Sequence, residues 1–142
     1  MAKKDYKAIE KNQDAFEKHR FNYVKNALRI ATYKWSYFAI AMQRQRIERG
    51  LYTCESCKGN FGPKEINRDH IEPVIPVTGW ENWESYINRL FVKSDQIQIL
   101  CIRCHENKTA TENIMRVKNN QKPIKIKKKS LTIKKKIGKM KK

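Results

Sequence analysis

All four cysteines of the chain fall in two Cys-x-x-Cys pairs, Cys54-Glu55-Ser56-Cys57 and Cys101-Ile102-Arg103-Cys104, separated by 43 residues. Two tight pairs can deliver four thiolates to one tetrahedral Zn²⁺, each sulfur about 2.3 Å from the metal. A fold that meets this demand must bring residue 54 beside residue 101. Disulfides and an iron centre are the competing uses of the same residues. The segment Met1-Ala2-Lys3-Lys4-Asp5 has no apolar stretch behind it, so the expectation is a reducing, cytoplasmic compartment where thiols bind metal. Four thiolates leave no open coordination position, so the expected Zn²⁺ is structural and reaction chemistry must come from other side chains.

The chain has 142 residues and a formal net charge of +18, from 32 Lys and Arg against 14 Asp and Glu. That excess points to a polyanionic partner, nucleic acid before anionic lipid. Much of it lies at the end: no acidic residue follows Glu112, and residues 113–142 contain 13 Lys or Arg. Like-charge repulsion and sparse apolar residues predict a disordered tail over residues 114–142. Lys127, Lys128, Lys129, Lys134, Lys135 and Lys136 are its expected phosphate contacts. No run approaches the roughly 18 apolar residues of a membrane span, because Lys25, Arg29, Lys34 and Arg44 interrupt the most apolar region.

Three regions follow: an N-terminal helical region over 1–50, a compact domain over 51–113, and the tail. Asp5 is the expected cap of a short polar helix reaching residue 18. Phe21, Val24, Leu28, Ala31, Trp35, Phe38 and Met42 recur at spacings of three and four and predict a helix over 20–48, stopped by Gly50. This stripe is expected to pack on the chain's own domain, with a dimeric seam as the alternative, so either a monomer or a homodimer is allowed. In the compact part, residues 64–71 read as a strand, 81–91 as a helix with Trp80, Trp83, Tyr86 and Leu90 as its packing face, and 96–100 as a short strand. A further helix begins within 101–105. The expected class is therefore α+β.

Asp69-His70 stands at the end of the first strand and His105 directly follows the last cysteine. A metal staple joining the cysteine pairs would draw the two histidines together across 35 residues of chain. Adjacent strand residues face opposite sides, so Asp69 and His70 can converge only if the strand breaks between them, for which Pro73 is the nearest cause. On the last helix, His105, Lys108 and Glu112 share a face, which makes Lys108 a candidate phosphate contact. His19 has no partner suggested by the sequence.

The succession Cys-x-x-Cys, Asn67-Arg68-Asp69-His70-Ile71-Glu72-Pro73, then Gln98-Ile99-Leu100-Cys101-Ile102-Arg103-Cys104-His105-Glu106-Asn107-Lys108-Thr109 resembles the HNH endonuclease family, its small phage-type and mobile-element members above all. The resemblance covers residues 51–111. It implies a ββα-metal core pinned by a four-cysteine zinc, with His70 as general base and Asp69 and His105 holding a catalytic divalent ion. Mg²⁺ or Mn²⁺ suits a carboxylate ligand, and an imidazole widens tolerance toward Ni²⁺ or Zn²⁺. Gln96 stands where the family carries its middle Asn, a loop-orienting residue. The resemblance thus implies hydrolysis of DNA phosphodiester bonds, most naturally duplex DNA, in a bacterial or phage-infected cell near the nucleoid. The alternative is a zinc-stapled nucleic-acid-binding module without catalysis. A structural protein assembled through the 21–42 stripe would leave Asp69, His70 and His105 unexplained.

Overall fold

The computed structural model describes residues 5–125. The six tail lysines named above lie outside those residues. The architecture is α+β: α1 (Tyr6–Lys11), α2 (Gln13–Ala31), a short 3-10 turn (Thr32–Lys34), α3 (Ser36–Arg44), β1 (Arg46–Glu48), β2 (Leu51–Thr53), β3 (Asn60–Phe61), β4 (Ile66–His70), α4 (Trp83–Leu90), a second 3-10 turn (Ser94–Gln96), β5 (Ile97–Cys101) and α5 (Ile102–Lys118).

The helical region starts as its caps dictate and then departs from one uninterrupted helix. Asp5 Oδ1 accepts the N–H groups of Lys7 and Ala8, both at 3.1 Å, and Asn12 Oδ1 accepts that of Ala15 at 3.0 Å, so a second cap splits the polar segment into α1 and α2. The helix expected over 20–48 is divided too. The chain turns extended at Trp35, whose indole N–H donates to the Val92 carbonyl at 2.8 Å while its ring meets Phe91. A straight helix would carry Trp35 away from that acceptor. α3 then ends at Arg44, whose guanidinium reaches the carbonyls of Ser94 and Ile97 and the Glu55 carboxylate. Gly50, at φ +78°, closes a turn between β1 and β2 that a side-chain-bearing residue would strain. The stop was expected at Gly50; here it is a hairpin turn.

The apolar stripe packs on the chain's own core despite the break. Leu28 lies against Val74, Tyr86 and Leu90, while Phe21 meets both Trp80 and Trp83. Trp35 and Met42 flank a cluster of Phe38, Ala41, Ile66, Ile97 and Ile99. Val24 and Ala31, in contrast, stay at the surface.

β1, β2 and β3 form one antiparallel sheet, and β4 and β5 another, with Ile66 opposite Cys101, Asp69 opposite Gln98 and His70 opposite Ile97. Ile97, Ile99 and Leu100 are buried because β5 lies between α3 on one side and the cysteine cluster with α5 on the other. Arg116, 2% exposed, ties α5 to the segment after β4: its guanidinium donates to the carbonyls of Ile75 (2.9 Å) and Pro76 (2.8 Å) and faces Glu112 at 4.0 Å.

Replacing Arg116 with Ala leaves the part-buried Ile75 carbonyl without a donor, takes one of two donors from Pro76 O and strands Glu112, and is expected to cost about 2 kcal/mol of stability. Denaturant unfolding of wild type and variant measures it. A shift of a few tenths of a kcal/mol would contradict the assigned clamp.

Candidate active site and metal centre

The first site is built by a knuckle folding onto the β5–α5 junction. Cys54 N–H donates to Gly59 O at 2.9 Å and Lys58 N–H to Cys54 O at 3.0 Å, with Lys58 at φ +61°, so the chain doubles back between the two sulfurs of the first pair. Glu55 N–H donates to Ile99 O at 2.8 Å, and Cys101 N–H points at Cys54 Sγ at 3.2 Å. Cys101 in turn caps α5, its sulfur accepting the Cys104 N–H.

As a result the four sulfurs lie within 4.8 Å of one another, Cys57 and Cys101 at 3.9 Å. Four thiolates about 2.3 Å from one Zn²⁺ in a tetrahedron stand about 3.8 Å apart, so a metal such as zinc fits the cluster. The thiol chemistry agrees. Burial opposes ionisation of Cys54, but the N–H groups of Cys101, Cys57 and Ser56 outweigh it and bring its pKa down to about 7. Burial pushes Cys101 up to about 12, helped by the neighbouring sulfurs. A dication is what allows both to be thiolates.

The second site lies at the end of β4. Asp69 faces α5: its Oδ1 is 3.7 Å from His105 Nε2, and its Oδ2 accepts from Gln98 Nε2 at 3.0 Å and from Lys108 Nζ at 3.0 Å. Lys108 also donates to the His70 carbonyl at 2.9 Å and to Glu112 Oε1 at 2.6 Å. Its ammonium thus points inward to three oxygens. Burial would lower its pKa, yet Glu112 and Asp69 hold it above the ordinary lysine value, so it stays charged. Asp69 and His105 are close enough to share one ion, and the carboxylate–imidazole set suits a divalent metal.

His70 takes the other face. β4 keeps its pairing through His70 and leaves the sheet only at Ile71, so the expected break between Asp69 and His70 falls one residue later. Strand alternation therefore sends the two side chains to opposite faces. The imidazole meets the Phe38 ring at 5.3 Å and 81°, and its Nε2 lies 2.9 Å from the Leu90 carbonyl. A carbonyl only accepts, so Nε2 carries the proton and Nδ1 keeps a lone pair. Burial lowers the His70 pKa, against the Leu90 carbonyl and Asp69, which favour the cation; Arg29 and Lys108 add to the lowering. The lowering favours the neutral ring. It lines a cleft of about 570 Å³ shared with Glu72, Glu84, Arg89, Asp95 and Gln96.

The sequence reading brought Asp69, His105 and Lys108 together, as the structure does, but missed three supports. Gln98 was a visible signal: a polar residue in an apolar strand, directly across from Asp69. Arg116 continues the Lys108–Glu112 spacing by one more helical turn. The Leu90 carbonyl that fixes the His70 ring has no sequence signature. Gln96, in the family's Asn position, holds the segment after His70 through its main chain, its carbonyl accepting Ile71 N–H at 3.0 Å. His19 is not without company, since its ring meets Tyr6 edge-on at 5.6 Å.

Over 63 residues the chain is 36% identical to a protein of Lactococcus phage SK1 named "Probable HNH endonuclease". The matched stretch is 44% of this chain and 60% of that protein, so the chain spans about three-fifths of the relative it matches. No family model matches the chain. No solved structure matches it either.

Purified protein is expected to carry one zinc per chain, and Cys57→Ala to lose it. Metal binding at such sites contributes roughly 10 kcal/mol or more, so chelation should abolish cooperative unfolding. Metal analysis with thermal melts decides this; a metal-free protein that melts unchanged would contradict the assignment.

Proposed function

We propose that this chain is a metal-dependent endonuclease of the HNH type that hydrolyses phosphodiester bonds of DNA, with β4, β5 and α5 as its ββα core. The observation that carries the reading is the 2.9 Å contact between His70 Nε2 and the Leu90 carbonyl. With Nε2 donating to the Leu90 carbonyl, a neutral imidazole keeps an Nδ1 lone pair for a water, at the end of a strand whose preceding residue, Asp69, stands beside His105. That arrangement supplies the two things phosphodiester hydrolysis needs, a base for water and a place for a cation.

In this reading Nδ1 of His70 takes the proton of the attacking water, and the Leu90 carbonyl keeps the ring oriented and stabilises the imidazolium that forms. Phe38 holds the ring edge, which limits its rotation. Asp69 and His105 would hold a divalent ion, Mg²⁺ or Mn²⁺ by ligand type, which when bound neutralises charge on the phosphate and the departing oxygen. Gln98 and Lys108 fix the Asp69 carboxylate. The Zn²⁺ at the four cysteines has no open position and serves the fold. The tail lysines add affinity through phosphates, and the expected substrate is duplex DNA.

The test is conversion of supercoiled plasmid to open circle in Mg²⁺ or Mn²⁺. His70→Ala should slow it by about 10²- to 10⁴-fold, the usual worth of a positioned base, with zinc content unchanged. A wild-type protein that binds DNA but nicks it with none of several divalent metals would instead identify a binding module.

A further inference from the structure

His70 is flanked by two arginines that the sequence reading did not single out. β4 alternation puts Ile66, Arg68 and His70 on one face, with Ile66 buried against Phe38. The Arg68 guanidinium stacks over the Phe38 ring at 5.6 Å, and the His70 ring meets the same ring at 5.3 Å. One aromatic therefore braces both side chains. Residues two apart on a strand are separated by about 6.6 Å, within the reach of an arginine stem, so a phosphate beside the His70 imidazole is accessible to the Arg68 fork.

Arg29 approaches from α2. Leu28 packs on Tyr86 and Leu90, Lys25 O accepts from the Tyr86 hydroxyl at 3.3 Å, and Trp35 Nε1–H donates to Val92 O. These contacts hold the last turns of α2 against α4, the helix whose Leu90 carbonyl is bonded to His70. The Arg29 charge acts on both Tyr86 and His70.

Both arginines are exposed, and neither guanidinium has a hydrogen-bond or ion-pair partner among the described residues. Of the other described arginines, Arg20, Arg44, Arg89 and Arg116 each face a glutamate, while Arg46, Arg49 and Arg103 make no ion pair. The cleft on the α4 side of His70 is acidic: Glu72, Glu84 and Asp95 line it, and Arg89 pairs only with Glu72. A phosphodiester is repelled there and attracted to Arg29 and Arg68, neither of which lines the cleft.

We infer that Arg29 and Arg68 form a clamp for a nucleic-acid backbone phosphate beside His70, so that the N-terminal helical region supplies part of the substrate site. The inference rests on the nuclease reading for its placement at the reacting phosphate, while the binding it requires is measurable without cleavage. Two planar forks can each take a phosphate bidentately.

The experiment is fluorescence anisotropy of a short labelled DNA duplex with the full-length, zinc-loaded protein and no added divalent metal. Arg29→Ala and Arg68→Ala should each weaken binding about tenfold, the scale of a lost hydrogen bond to a charged group. Each should also reduce the salt slope by about one. Arg68→Lys keeps the charge, loses the fork and should recover only part of the affinity. Lys11→Ala, one charge removed near the start of α2, should weaken binding less than twofold. Arg29→Gln and Arg68→Gln replace any alanine variant that loses zinc. Arginine variants no weaker than Lys11→Ala would overturn the clamp, even if the wild type nicks plasmid. Arginine-dependent binding by a wild type that never nicks would support the clamp and sink the nuclease reading.

Discussion

Four sulfurs gathered within 4.8 Å are the constraint on which the rest of the molecule depends. They tie the knuckle at residues 54–57 to the one place where β5 becomes α5, and Cys101 serves both as a member of the cluster and as the cap of that helix. The start of α5 is thereby fixed relative to the β4–β5 pair. His105 follows the last cysteine directly, so anchoring the cluster sets it beside Asp69 on the neighbouring strand. A chain of this size has little core to spare, and a metal held by all four cysteines would substitute for the burial it lacks.

A row of alternating charges carries that order along α5. Asp69, Lys108, Glu112 and Arg116 face one another in turn, and Arg116 ends the row by gripping the carbonyls of Ile75 and Pro76. The segment leaving β4 is thus held from the far end of the helix. β4 separates two environments: the Asp69 face, with carboxylates, an imidazole and an ammonium, and the His70 face, with an aromatic ring, a carbonyl and two unpaired guanidiniums. Lys108 bridges them at the strand end by bonding both the Asp69 carboxylate and the His70 carbonyl.

The cysteine pairs, the Asp69-His70 strand end, His105 and the helix that carries it were all legible in the sequence, because metal-ligand spacing and helical period are local signals. The mixed α+β class followed from the same patterns. The division of the 20–48 helix was not legible. The 3-10 turn at residues 32–34 keeps the apolar residues near one side, so their period survives a break that the Trp35–Val92 hydrogen bond imposes from 57 residues away. β1 was hidden for a related reason: Arg46–Glu48 is exposed throughout and carries no alternation to read. Asp69 and His70 were expected to converge through a broken strand, but the Ile97 pairing holds the strand straight one residue further. Nonlocal hydrogen bonds decided each of these points.

The proposed function divides the work between a closed four-thiolate metal that would build the fold and a second, exchangeable ion that Asp69 and His105 would hold. Mn²⁺ titration of zinc-loaded protein, followed by electron paramagnetic resonance, reads that division directly. One Mn²⁺ should bind in addition to the retained zinc, and Asp69→Ala should abolish that binding while keeping the zinc. A wild type that takes up no Mn²⁺ beside its zinc, or an Asp69→Ala variant that binds Mn²⁺ as tightly as wild type, would contradict it.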